Sequence, residues 1–202
     1  MGVEIKNAWK TFGEQAVLGG FSIGFPPRGT VCLFGPSGCG KSTLLNCLAG
    51  LITLDSGEIL GLKGKKVSYI FQENRLLPWA TARENVALVL EGENTETASR
   101  WLLQAGLGDA MEKYPRELSG GMKRRVAIAR ALAYGGDVLL LDEPFRALDE
   151  TNKQDLIGLI RRSSADALNI LVTHDREEAE QMGDVIIFLD GPPLRIVEIR
   201  KK

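Results

Sequence analysis

Nine consecutive residues, Gly35-Pro36-Ser37-Gly38-Cys39-Gly40-Lys41-Ser42-Thr43, constrain the fold of this chain more than any other stretch. They fit the pattern G-x-x-x-x-G-K-[ST] and stand between a short apolar run, 30–34, and a helix-type stretch. That stretch carries Leu44, Leu45, Cys47 and Leu48 on one face and stops at Gly50. A glycine-rich turn in this setting aims backbone N–H groups, and the positive end of the following helix, at phosphate oxygens. Gly38 and Gly40 leave room for close approach, Lys41 is expected to reach the β- and γ-phosphates, and the Ser42 hydroxyl to ligate Mg²⁺. Nucleotide binding is the chemistry this pattern points to.

The rest of the chain supplies strands and helices for the fold that such a motif needs. Strand-type runs are expected at 3–5, 18–25, 67–71, 138–141, 170–172 and 185–189, with a turn at Pro26-Pro27-Arg28-Gly29. Helical patterns are expected near 82–91, 95–105, 119–133 and 149–163. Strands alternating with helices argue for a parallel sheet covered on both faces, and the middle block reads as a helical lobe inserted into it. With 202 residues, 44% of them hydrophobic, the chain can bury the core of one domain, with or without such a lobe.

Composition excludes other classes. Twenty-five Lys and Arg against 26 Asp and Glu leave a net charge of −1, so no basic footprint marks nucleic acid or anionic lipid as the main ligand. No apolar run approaches the roughly 18 residues that cross a bilayer. The opening MGVEIKNAWK lacks the apolar core of a signal peptide, which predicts a cytosolic chain. Cys32, Cys39 and Cys47 are odd in number and unlike zinc ligands in spacing, as suits a reducing compartment.

Four further polar residues fall at the ends of three strands. Val138-Leu139-Leu140-Leu141-Asp142-Glu143 reads as a buried strand ending in two acids. Asp142 is placed to hold Mg²⁺ and Glu143 to polarise a water for in-line attack on a γ-phosphate. A bland reading, a strand-to-turn junction with solvated acids, loses weight beside a cradle that demands a metal carboxylate. Gln72 follows the strand 67–71, and His174, the single histidine, follows Ile170-Leu171-Val172-Thr173. Alone, Gln72 reads as a surface amide and His174 as a capping or core residue. Ligands of open α/β sheets sit beyond the carboxyl ends of the strands, and that shared position favours the functional reading of both.

Leu118-Ser119-Gly120-Gly121-Met122, followed by Lys123-Arg124-Arg125-Val126-Ala127-Ile128-Ala129-Arg130-Ala131-Leu132, resembles the signature sequence of the ATP-binding subunits of ABC transporters. Physically, Ser119 and two glycines at a helix start make a second anion site. The resemblance spans essentially the whole chain, with motifs in the family's order. It implies an α/β, P-loop NTPase (RecA-like) fold with a mostly parallel sheet core and a small N-terminal antiparallel β portion. An inserted α-helical subdomain, approximately 76–133, would carry the signature, and residues 1–202 together would be one ABC-type nucleotide-binding domain.

Residue by residue, the resemblance implies that Phe12 stacks on adenine and that Gly35, Pro36, Ser37, Gly38, Cys39, Gly40, Lys41, Ser42 and Thr43 hold the phosphates of ATP. Mg²⁺ would be held by Ser42, Gln72 and Asp142. Catalysis would fall to Glu143, His174, Gln72 and Lys41, with His174 touching the γ-phosphate. Ala147-Leu148-Asp149 would be the loop that touches the opposite subunit. Ser119, Gly120 and Gly121 would complete the nucleotide site of a second copy in a head-to-tail dimer.

A narrower similarity lies in Phe71-Gln72-Glu73-Asn74-Arg75-Leu76-Leu77-Pro78-Trp79, which looks like bacterial importers of nitrate, sulfonate, taurine and related small solutes, including thiamine precursors. It implies a transmembrane permease subunit received near Gln72–Trp79 and, indirectly, an extracytoplasmic solute-binding protein. The chain would then lie at the inner face of the cell membrane. Leu76, Leu77 and Trp79 read either as contacts to that permease or as core of the helical lobe. A soluble ABC-type ATPase acting on nucleic acid or the translation machinery is the alternative. It would call for coiled-coil arms, a second ATPase half or a basic surface, and Lys63, Lys65 and Lys66 read as solvated turn charges. A nucleotide-gated scaffold would call for a missing base or metal ligand. Met122 departs from the Gln usual after the signature glycines, and Arg146 from the usual small residue. The stretches 51–66 and 92–113 are short, and the end soon after 196–199 predicts no C-terminal regulatory domain.

Overall fold

A computed structural model describes residues 2–146 and 148–202. Its centre is a six-stranded sheet of order β5-β6-β7-β3-β8-β9, built from β3 (Gly29–Phe34), β5 (Val67–Ile70), β6 (Val138–Asp142), β7 (Leu168–Thr173), β8 (Val185–Asp190) and β9 (Arg195–Lys201). The first five in that order run parallel, and β9 closes one edge antiparallel to β8. Every residue of VLLLD in β6 and LNILVT in β7 is buried, the unbroken apolar pattern of strands covered on both faces. The α/β fold with a mostly parallel sheet is therefore as the sequence predicts.

The register carries functional weight. Phe34 lies opposite Thr173, Asp142 opposite Val172, and Ile70 opposite Leu141. Four carboxyl ends thus stop level with one another, and the residues that follow them emerge at a single edge.

A second sheet of order β2-β1-β4 is antiparallel and combines β1 (Glu4–Phe12), β2 (Gln15–Gly24) and β4 (Ser56–Leu60). The hairpin is longer than the runs 3–5 and 18–25, and β4 falls in a stretch read without structure. Register shifts between Ile5 and Ala8, Ala8 and Trp9, and Lys10 and Thr11 break the alternation that would have revealed β1.

Two apolar clusters lie on the two faces of the large sheet. One joins the antiparallel sheet (Ile5, Leu18) and α1 (Lys41–Leu48) to Leu33, Leu140 and Ile170. Its Leu44 and Leu45 are fully buried, each contributing about 1.5–3 kcal/mol. The other gathers α2 (Ala82–Ala87), α3 (Thr95–Gln104), α4 (Gly120–Tyr134), α5 (Glu150–Ser163) and α6 (Arg176–Met182) around Leu102, Ile128, Leu141 and Leu156. Thr81 and Glu84 form a reciprocal capping box that starts α2, and the helix ends at Ala87, earlier than the pattern 82–91 suggests. The short α6, begun by the Asp175 cap, has no counterpart among the sequence expectations. Among the described residues no helix is long and apolar enough to cross a membrane.

Candidate nucleotide site

The turn after β3 leaves no room for a side chain at its first residue. A Cβ on Gly35 would lie 2.4 Å from the carbonyl oxygen of Leu189, so a larger residue would force β3 and β8 apart. Gly40, with φ of 114°, begins α1 and makes no side-chain cap, leaving the N–H groups of the first turn free of side-chain acceptors. Lys41 folds over the turn, and its Nζ donates to the carbonyls of Gly35 and Pro36, both at 2.7 Å. It is only 5% exposed. The lysine therefore fixes the loop's shape as well as presenting a charge to it.

A cavity of about 220 Å³ opens over this turn, lined by Ser37, Gly38, Gly40, Lys41, Ser42 and Thr43 from the loop. Gln72 enters from beyond β5 and Glu143 from beyond β6, with Gln15 and Val17 of β2 on the near wall. These separate stretches meet because the strand ends are level.

Asp142 closes β6 beside the cavity. Burial pushes its carboxyl up, while a hydrogen bond from the Ser42 hydroxyl and the nearby Lys41 charge pull it back. Its Oδ1 is buried with no hydrogen-bond partner. An orphaned carboxylate oxygen beside a serine hydroxyl fits a hard divalent cation, which takes oxygen ligands. Among the described residues no group of three or more His, Cys, Asp or Glu could hold a metal. Beyond Ser42 and Asp142, the oxygen ligands open to a cation here are the Gln72 side chain across the cavity, phosphate oxygens and water, which suits Mg²⁺ arriving with a nucleotide.

Glu143 stands one residue on, in left-handed backbone at φ of 45°. Its Oε1 accepts from Nδ1 of His174 at 2.9 Å, and its Oε2 lies 3.9 Å from Nη1 of Arg146. That contact gives Arg146 the physical account its sequence position lacked. His174 is otherwise exposed and lines an adjoining cavity of about 230 Å³ that shares Glu143.

Residues 18–146 match the ABC transporter family. The chain belongs to that family. It is 41% identical over 197 residues to the aliphatic sulfonates import ATP-binding protein SsuB 2 of Agrobacterium fabrum, covering 93% of this chain and 76% of that one. Against the sulfate/thiosulfate import ATP-binding protein CysA of Burkholderia mallei it is 40% identical, covering 94% of this chain and 60% of the relative. The chain thus spans only about three-fifths of the length of CysA. The dimeric structure of the ATP-binding cassette MJ0796 bound to ADP and Pi superposes with a TM-score of 0.88 at 30% identity, covering 98% of both chains. This likeness is one of fold class as well as family: the ABC cassette is a P-loop NTPase fold.

In this ABC chain the remaining expected residues stand away from the cavity. Phe12 is half exposed at the end of β1 and pairs with Gln15, which lines the cavity mouth. Ser119 caps α4, its Oγ accepting from the N–H of Met122 at 3.2 Å, and Ser119 and Gly120 face solvent. Met122 packs its side chain against the helical core in place of the usual amide. Asp149 caps α5, accepting from the Asn152 N–H and side-chain amide at 3.0 and 2.6 Å. Ala147, expected in the loop that touches a second subunit, lies outside the described residues.

The alternatives left open at 76–79 divide. Leu76 packs against the helical core, whereas Trp79 is 73% exposed. The buried Asn85 fixes the turn between them, its Oδ1 accepting from the Leu77 N–H and its Nδ2 donating to the carbonyls of Leu77, Ala80 and Thr81.

One residue the motifs did not reveal is Arg124. It is 2% exposed, and its guanidinium donates to the carbonyls of Phe71, Gln72, Asp142, Glu143 and Pro144 at 2.5–3.4 Å. Burial pulls its pKa down to about 10, so it stays charged at neutral pH. A signal was present. Arg124 falls on the apolar stripe of α4 with Ala127, Ile128 and Ala131, where a charge needs buried partners.

Proposed function

We propose that this chain is the ATP-hydrolysing subunit of an ABC importer for a small solute of the sulfonate, nitrate or sulfate kind. The single observation that carries this reading is the meeting of Lys41, Ser42, Asp142, Glu143 and Gln72 at one sheet edge. The import ATP-binding names of the relatives support transport over a role on nucleic acid.

The N–H groups of the turn and α1, with Lys41, receive the phosphates and align them against the β6 end. Ser42 and Asp142 would hold Mg²⁺, which when bound supplies positive charge to the β- and γ-phosphate oxygens. Glu143, whose carboxylate His174 steadies, orients a water and takes its proton as the water attacks in line. Gln72, which lines the same cavity from beyond β5, would help hold the Mg²⁺ and the attacking water. Lys41 remains beside the charge that develops on the transferring phosphoryl group and stabilises it.

The cavity lacks Ser119, Gly120 and Gly121, which supports a head-to-tail dimer in which these residues of each copy close over the other's nucleotide. Residues 76–133 would form the helical subdomain of a single domain. Trp79, exposed on a turn continuous with Gln72, would meet the transmembrane permease at the inner face of the cell membrane. The solute-binding protein would be met only through that permease.

Glu143→Gln tests the reading. It should leave ATP binding intact, lower kcat by at least about 10²-fold and accumulate a nucleotide-bound dimer on size exclusion. Hydrolysis at the unsubstituted rate would refute it.

A further inference from the structure

We propose that Lys153 is a positioning residue for His174, tying the Asp149 end of α5 to the turn that carries the histidine. The inference rests on the reading that His174 and Glu143 serve ATP hydrolysis.

Lys153 lies in the first turn of α5, its N–H bonded to the carbonyl of Asp149 at 2.9 Å. The side chain points inward and is 7% exposed. Its Nζ stands 3.1 Å from Asp175 Oδ2, 3.5 Å from Glu178 Oε1 and 4.0 Å from Glu150 Oε2. Both carboxylates on the far side bind the chain around His174. Asp175 caps α6 through Oδ1, accepting from the N–H groups of Glu177 and Glu178 at 2.8 and 3.2 Å. Glu178 accepts from Thr173 Oγ1 at 2.5 Å, and that same oxygen accepts from the Asp175 N–H at 3.0 Å.

His174 thus sits between two residues, Thr173 and Asp175, that are both anchored in a network whose cation belongs to another helix. Among the described residues its ring makes one hydrogen bond, to Glu143. Nothing else on the ring fixes it, so the flanking anchors decide where it stands. Lys153 reaches them from four residues beyond Asp149, which caps the helix at its exposed end. A shift of that end moves Nζ, and with it the turn 173–175.

Stability alone does not require such a network. A buried ion pair is often replaceable by uncharged groups at no loss, whereas removing one member strands a charge. That asymmetry separates positioning from folding. The double variant Lys153→Met with Glu178→Gln removes the buried pair without stranding Glu178.

We expect the double variant to melt within a few degrees of the unsubstituted chain and to bind a non-hydrolysable ATP analogue within about threefold of its Kd. Its kcat should fall by about tenfold to a hundredfold, as for a misplaced catalytic group. Lys153→Arg, which keeps the ion pairs, should keep kcat within about threefold. If the double variant does not fold, Lys153→Gln with Glu178→Gln gives the same comparison, because it too removes the pair without stranding a charge. In a His174→Ala background the Lys153 substitutions should cost no further kcat, because the residue acts through the histidine. A folded variant with full kcat, or an undiminished loss in the His174→Ala background, overturns the inference and leaves the ATPase reading standing. Full activity in His174→Ala alone overturns both the inference and the role given to the histidine, while Glu143→Gln still judges the ATPase.

Discussion

His174 Nδ1 and Glu143 Oε1 stand 2.9 Å apart, one residue beyond the ends of the neighbouring strands β7 and β6. With the carboxylate accepting from Nδ1, the other ring nitrogen is left for a ligand. His174→Ala should therefore lower kcat by about 10²–10⁴ and change the Kd for ATP by no more than a few-fold. Steady-state hydrolysis beside equilibrium binding makes the check, and a weakened Kd with kcat unchanged would place His174 in binding alone.

Gly35 and Gly24 differ in what surrounds them. A Cβ on Gly35 meets the Leu189 carbonyl, whereas one on Gly24 meets nothing within 4 Å. Gly35→Ala should cost about 1–3 kcal/mol in denaturant unfolding. Gly24→Ala should stay within about 0.5 kcal/mol of the unsubstituted chain.

Leu76 and Trp79 make a second contrasting pair. Leu76→Ala removes apolar packing from the helical core and should lower Tm, while Trp79→Ala should leave Tm and basal hydrolysis almost unchanged. Reconstitution with the membrane subunit is where Trp79→Ala should fail, read as lost stimulation of ATP hydrolysis. A fall in Tm for Trp79→Ala would return the residue to the core.

Acid should find Asp55. The hydrogen bond from Lys10 Nζ and that from the Thr11 N–H, both 2.7 Å, hold its carboxyl below the usual carboxylate range. A folded-state pKa below the unfolded one stabilises the fold above the unfolded value and loses that contribution as pH falls through the folded one. Asp55→Asn should therefore melt earlier than the unsubstituted chain at pH 7, and the gap should close as pH falls below about 4. A gap that persists undiminished in acid would assign it to something other than charge.

Much of this was legible beforehand, for identifiable reasons. Strands β6 and β7 are buried on both faces, so their apolar runs are unbroken and their polar ends conspicuous. Asp142 and Glu143 close such a run directly, Gln72 follows the run 67–71, and Lys41 and Ser42 stand at the end of the glycine-rich turn after β3; strand ends that stop level bring them together. Three features resisted. In β1, Asn7 at φ of 47° and three register shifts disrupt the two-residue alternation. In α4 and α5, Arg124 and Lys153 fall on the apolar stripes, which marks them for burial, but their partners come from segments 18 to 53 residues away and cannot be read from the helix itself. Asp149 is read as a site through resemblance alone, and Ser119 through resemblance and its place at a glycine-rich helix start; the local geometry of both is that of ordinary helix caps.

The left-handed backbone at Glu143 has one more consequence. Residues with a Cβ resist φ near 45°, at roughly 1–2 kcal/mol, and glycine does not. Glycine at this position would relax the chain, so the glutamate stands there against the preference of folding itself. A lineage that stopped using the machine would have every thermal reason to let the acid go, and its idle descendants should outlast this one in a heat challenge.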